Sequence, residues 1–262
     1  MWYTDCKFKA TQQTTIGGIK MNYGLQLYSV RDTAEKDFEK VLREVAAMGY
    51  EFVEPAGFFG HSAEQVKEWL DKYNLKISGT HSGFADLEND FEGTVKYHKT
   101  IGNTRYIVPG VSTGTREELD AAVEKFNKFE PMLAEQGIEL GYHNHHREFI
   151  LNNNAIYPNL YFMEKTNVKF EIDTFWAFVA HRDPTEVLEE YRSRLIGCIH
   201  LKDGRRYPAV KGCALGEGSA PVRDVIAKAK EMGLKMVVES EGLDPTGLEE
   251  VARCAAFLKA NG

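Results

Sequence analysis

The sequence predicts a single (β/α)8 barrel of the α/β class, preceded by a short N-terminal extension. Three observations carry that prediction. Short β-type runs alternate with helical windows eight times along the chain. The length of 262 residues suits one barrel, which typically needs roughly 250. Gly49, Gly137 and Gly233 each close a helical window just before a strand, where helix-ending glycines belong.

The elements follow in order. Strands are expected at 23–29, 52–54, 77–81, 105–108, 139–145, 169–174, 196–202 and 235–239, as short apolar and β-branched runs. Helices are expected at 35–48, 62–73, 89–101, 115–136, 156–164, 184–193, 219–232 and 246–260, in stretches rich in Glu, Lys and Ala. Asp183-Pro184 reads as an N-cap followed by proline at the first helical position. Strands alternating with helices imply a parallel sheet covered by helices on its outer face. Eight such units close more naturally into a barrel than into an open sheet. Residues 21–262 form the expected barrel. Residues 1–20 lack apolar periodicity, carry Thr11-Gln12-Gln13-Thr14-Thr15 and lack the apolar run of a signal peptide, so they are expected to lie outside it.

Composition narrows the function classes. An apolar content of 43% fills a sizeable core, and a net charge of −7 lacks the basic footprint of a nucleic-acid partner. Cys6, Cys198, Cys213 and Cys254 are scattered without CxxC spacing. That suits a reducing, cytoplasmic setting and excludes a thiolate zinc site. No segment approaches the roughly 20 apolar residues of a membrane span.

Four segments each end an apolar run with metal-competent side chains: 142–146 (Tyr-His-Asn-His-His), 170–174 (Phe-Glu-Ile-Asp-Thr), 199–203 (Ile-His-Leu-Lys-Asp) and 237–241 (Val-Val-Glu-Ser-Glu). Barrel strands bring their C-terminal ends to one mouth. Side chains alternate along a strand, so one parity class points inward: Glu171 with Asp173, His200 with Lys202, Val237 with Glu239, and Gly141 with His143 and His145. The inward residues at the strand ends are His143, Asp173, His200 and Glu239. Buried charges are costly unless paired or metal-bound. Their nitrogen and oxygen donors suit one divalent ion: manganese, cobalt, zinc, magnesium or iron. His145 or Glu148 is an alternative fourth ligand if the fifth strand ends early. Glu171 points inward one layer deeper, where an internal ion pair is the simplest role.

Taken together, these residues resemble the xylose-isomerase-like TIM barrel superfamily of sugar phosphate isomerases and epimerases. The resemblance runs from about Met21 to the C-terminus. It rests on 24–31 (Gly-Leu-Gln-Leu-Tyr-Ser-Val-Arg), on His143-Asn144-His145 through Glu148-Phe149, on Asp173-Thr174-Phe175-Trp176, on His200-Leu201-Lys202-Asp203 and on Glu239-Ser240-Glu241-Gly242. It implies one divalent ion, often manganese, held from the ends of strands five to eight, with Asp173, His200 and Glu239 on three of the four positions. The ketose 3-epimerases carry a Glu at the fourth, where this chain has His143. A symmetrical two-carboxylate proton transfer is therefore not expected.

The expected activity is metal-assisted abstraction of a proton beside the carbonyl of a keto sugar or sugar derivative, giving isomerisation or epimerisation through an enediolate. Glu239 or His145 is the expected base, and Lys202 the stabiliser of the developing charge. Glu54, His81, Glu148, Trp176 and Lys202 are expected to line the sugar pocket. Loss of a β-substituent after the same first step gives the alternative, a dehydratase or lyase of the inosose-dehydratase or 3-keto-glycoside type. A non-catalytic sugar-binding subunit is a further alternative. Phosphodiester hydrolysis on this barrel needs a cluster of zinc ions and a basic face, which the composition opposes. The partner expected is a small carbohydrate, with homo-oligomerisation implied only by the resemblance.

Overall fold

The computed structural model describes residues 23–261; the extension expected at 1–20 and Cys6 lie outside the described residues. Eleven strand segments are present: β1 (Tyr23–Gln26), β2 (Phe52–Glu54), β3 (Lys76–Ile77), β4 (Thr80–His81), β5 (Arg105–Val108), β6 (Glu139–His143), β7 (Lys169–Asp173), β8 (Leu195–Leu201), β9 (Asp203–Arg205), β10 (Lys211–Cys213) and β11 (Lys235–Val238). Nine of them form one sheet in the order β3-β2-β1-β11-β8-β7-β6-β5-β4. Every pairing within it is parallel.

The segments β3 and β4 are two halves of the third barrel strand. The first half pairs with β2, Val53 opposite Ile77, and the second with β5, Thr80 opposite Tyr106. Between them Ser78 N donates to Val53 O at 3.1 Å, and beyond them Ser82 N donates to Ile107 O at 2.9 Å. Residues 76–82 thus change partner midway, and the nine segments act as an eight-strand barrel. Gly79 permits the switch: a Cβ there would come within 2.7 Å of Ile107 Cδ1. The expected continuous strand at 77–81 is corrected to this split form.

Helices cover the outer face as expected. Phe38–Met48 opens on Asp37, whose carboxylate accepts from Lys40 N, and ends at Gly49 with φ of 101°. That left-handed conformation is costly for a residue with a Cβ. Arg116–Glu135 opens with a capping box between Thr115 and Glu118. Pro184–Glu190 opens on Asp183 with proline at its start. The largest core lies between the sheet and these helices, where Phe126, Phe129, Tyr142 and Phe162 are among the buried aromatics. Each such side chain stabilises the fold by about 1.5–3 kcal/mol relative to exposure.

The inside of the barrel changes character with height. Phe52, Ile107, Ile196, Cys198 and Val237 form an apolar plug. Two residues further along the same parity stand Glu54, His200 and Glu239, all buried. The site therefore rests on a packed floor.

The short helix Thr174–Val179 after β7 was not expected from the pattern, nor were two further features. A helix at Phe84–Asn89 follows β4, and β9 and β10 form an antiparallel hairpin after β8. Asp203 organises the turn that follows the hairpin, accepting from Gly216 N and Ala220 N at 2.9 and 3.1 Å. Among the described residues no helix is long and apolar enough to cross a membrane.

Candidate metal centre and active site

Each candidate ligand is placed by its local backbone. Asp173 ends β7 and caps the next helix, Oδ1 accepting from Phe175 N at 2.8 Å and Trp176 N at 3.0 Å. That cap leaves Oδ2 free of any hydrogen bond. His200 sits opposite Asp173 in the β7–β8 register and opposite Val237 in β11. Its Nε2 lies 2.8 Å from Glu54 Oε1 and 3.2 Å from Glu171 Oε2. Its Nδ1 has no hydrogen-bond partner and faces Glu239 Oε2 at 3.4 Å and Asp173 Oδ2 at 4.0 Å. His143 closes β6 with both ring nitrogens unpartnered, Nε2 being 3.6 Å from Asp173 Oδ2.

One donor atom from each of His143, Asp173, His200 and Glu239 lies within 4.8 Å of the others, and all four residues are buried. Unpartnered buried donors are expensive, and here they face a common centre. The set fits a divalent ion with nitrogen and oxygen ligands. Glu54 and Glu171 orient His200 from behind, as carboxylates do behind a metal-bound imidazole.

Charge at the site is strongly coupled. Burial opposes a charge on His200, but Glu171 and Glu54 hold it protonated well above the usual imidazole range. An ion on Nδ1 requires that proton to leave. Burial, reinforced by His200 and His81, keeps His143 neutral. Burial would raise Glu239, yet Lys202 and His200 hold it well below the ordinary carboxylate range. Burial raises Asp173, with Lys202 pulling the other way. Lys202, itself almost wholly buried, places Nζ 3.1 Å from Glu239 Oε2 and 3.9 Å from Asp173 Oδ2, and also pairs with Glu241.

The other residues singled out from sequence are distributed as follows. His81 lies on the cavity wall, with Nε2 3.0 Å from Glu171 Oε2 and 3.2 Å from Glu54 Oε1. His145 also lines the cavity, and its Nδ1 has no partner. Burial lowers it to about 4, so it is neutral. Trp176 is half-buried, its ring 5.6 Å from that of His145 and 4.8 Å from Lys202 Nζ.

Of the expected pocket residues only His81 lines the cavity; Trp176 and Lys202 are not among its lining residues, and Glu54 and Glu148 are fully buried. Glu54 is fully buried beneath the site, bound by Gln26 Nε2 at 2.7 Å as well as by His200. Glu148 is fully buried beside β6, accepting from Tyr142 Oη and His145 N, both at 2.8 Å. Glu148 is thus engaged by protein donors at both oxygens, whereas Glu54 keeps Oε2 without a hydrogen-bond partner. Glu171 takes the internal position expected of it, against His81 and His200. Glu241 was missed as a site residue, although it shares the parity of Glu239 and lines the cavity.

The comparisons agree with this architecture. An inosose dehydratase from Mesomycoplasma hyopneumoniae (strain 7448) is 28% identical over 190 residues, covering 64% of this chain and 63% of that protein. The matched stretch is thus less than two thirds of that relative's length. Among solved structures, a sugar phosphate isomerase/epimerase from Parabacteroides distasonis ATCC 8503 superposes with a TM-score of 0.80 at 24% identity, covering 97% of this chain and 98% of that one. A D-allulose 3-epimerase from Methylomonas sp., in complex with D-allulose, gives 0.68 at 16% identity, covering 93% and 98%. At these identities the structures establish the shared fold. A family model described as xylose isomerase-like TIM barrel matches residues 42–260, and the chain belongs to that family.

Proposed function

We propose that this protein is a divalent-metal-dependent sugar isomerase or epimerase that withdraws the proton beside the carbonyl of a keto sugar or sugar derivative. The observation that carries the reading is the convergence of His143, Asp173, His200 and Glu239 within 4.8 Å, with His143 and Glu239 on the wall of a large cavity. His143, Asp173, His200 and Glu239 would hold the ion, with manganese the first choice and cobalt, magnesium, zinc or iron as others. A bound divalent ion supplies Lewis acidity toward a carbonyl oxygen.

The remaining chemistry belongs to side chains. Glu239 and His145 are the proton-moving groups. Glu239 is kept ionised by Lys202, and His145 is a neutral imidazole with an unpartnered nitrogen at the cavity wall, a form able to accept a proton. Lys202 is held over Glu239 and Asp173, where it can offset negative charge developing on the substrate. His81 faces the sugar from the cavity wall, and Trp176, beside the cavity-lining His145, would stack on it from there. The carbohydrate partner is supported by the D-allulose complex of the Methylomonas relative.

A second reading is a dehydratase or lyase. Two observations favour it: His143 stands where a second carboxylate would serve an epimerase, and the inosose dehydratases are the matching sequence relatives. An imidazole such as His145 can return its proton to a departing oxygen.

The test is direct. Metal content is measured on protein purified without chelator, and solvent deuterium uptake is followed for a panel of ketoses and 3-keto-glycosides. One ion per chain with exchange at carbon supports the proposal, and released leaving group selects the second reading. A chain that takes up no ion and exchanges no deuterium would sink both and leave the sugar-binding subunit.

A further inference from the structure

The cavity beside the candidate metal centre is larger than one sugar ring needs. Its volume is about 880 Å³, near the top of the roughly 300–1,000 Å³ range that encloses drug-sized ligands. Its lining runs from His143 and Glu239 past the ends of β2 and β4 to Phe58, Tyr97 and His98. None of these last three belongs to the proposed chemistry.

Phe58 and Tyr97 have ring centroids 4.5 Å apart, and Phe58 and His98 6.0 Å apart. They make one continuous aromatic wall. It is anchored independently of any ligand: Tyr97 Oη donates to His61 O at 2.9 Å, and His98 Nδ1 is held by Asn103 at 3.0 Å. Such a wall suits the apolar face of a ring.

The lining is also selective by charge. No lysine or arginine lines this cavity among the described residues; Lys202 stands behind Glu239 and Glu241 and is paired with both, while Asp86 and Asp90 line the cavity beside the aromatic residues. A phosphate or carboxylate on the ligand would meet carboxylates instead of the guanidinium or ammonium that recognises it. Arg147 belongs to an adjoining groove of about 900 Å³ that shares only Pro109 and His145 with the cavity, and its Nε is on Glu148 at 3.1 Å.

We propose that the cavity takes an uncharged glycoside, with the reacting sugar, which carries the keto group, at the His143–Glu239 end and a second ring, sugar or aryl, stacked on Phe58 and Tyr97. This deepens the function proposed above and rests on its sugar-binding reading. It sets the substrate class apart from sugar phosphates.

The experiment is calorimetric titration of the full chain, with Mn²⁺ present, by methyl β-glucoside, phenyl β-glucoside, cellobiose and glucose 6-phosphate. At least one ring-bearing glycoside is expected to bind about tenfold tighter than methyl β-glucoside, equivalent to about 1.4 kcal/mol, and glucose 6-phosphate weaker than all. Gain with the phenyl compound alone identifies an aryl partner for the wall, and gain with cellobiose a sugar. Phe58→Ala and Tyr97→Ala are expected to erase the gain while leaving methyl β-glucoside unchanged, and Tyr97→Phe to keep it. Equal binding of all glycosides overturns the subsite while the sugar reading stands. So does tightest binding of glucose 6-phosphate that is lost in Arg147→Gln. Binding of Mn²⁺ with no sugar binding of any kind overturns the sugar-binding reading, and this inference with it.

Discussion

His200 Nε2 lies 2.8 Å from Glu54 Oε1, with both side chains fully buried, and this contact decides which nitrogen of His200 faces Asp173 and Glu239. The two residues are 146 positions apart in sequence. Glu54→Gln keeps the volume but removes the carboxylate that holds the ring. Metal affinity is expected to fall about 10–100-fold with an unchanged circular dichroism spectrum. Titration with Mn²⁺ monitored by its electron paramagnetic resonance signal checks this, and unchanged affinity would remove Glu54 from the site.

Asp173→Asn and His200→Ala each delete a donor that faces the centre. Both variants are expected to lose metal retention after desalting while the barrel still folds. Metal analysis and thermal unfolding measure the two effects separately. For the parent chain, saturation at about 100 times Kd should add about 2.7 kcal/mol of stability. Full occupancy in either variant would mean that the strand parities were misassigned.

The fifth strand offers competing histidines, and their roles separate by substitution. His143→Gln is expected to abolish metal retention. His145→Gln is expected to retain the ion and to slow proton exchange by about 10²–10⁴-fold, the usual weight of a positioned acid or base. Paired metal analysis and deuterium exchange distinguish them. Loss of metal from His145→Gln with retention by His143→Gln would reverse the assignment.

Acid sensitivity should show a contribution from His98, away from the candidate ligands. Burial lowers its pKa from 6.5 to about 4. Between those values the unfolded chain binds the extra proton and the folded chain does not. The stability is therefore intact above pH 6.5 and falls as pH drops toward 4, by about 3 kcal/mol at about 1.4 kcal/mol per pH unit. Denaturant midpoints measured across that window for the parent and His98→Gln check the sign. The variant should show the shallower decline, and identical slopes would contradict the assignment.

Local pattern carried much of this molecule. The alternation of strands and helices, the capping at Asp183 and the glycine at 49 are properties of short stretches of chain. Parity is equally local, because an extended strand turns every second side chain the same way. It selected His143, Asp173, His200 and Glu239 as inward strand-end residues, and their donors do converge in the folded barrel. It also marked Glu171 as one layer deeper, and, applied one step further, it would have marked Glu241.

Tertiary structure decided what depends on register between strands and on the paths of loops. Height around the barrel determined that Glu54 lies fully buried against His200. The return of the chain after β6 determined that Glu148 is spent on Tyr142 and His145. The switch of partner at Gly79 split the third strand, and the segments after β2 and β4 brought Phe58 and Tyr97 into one wall. A periodic pattern states which way a side chain points. Only the closed barrel states what stands opposite it.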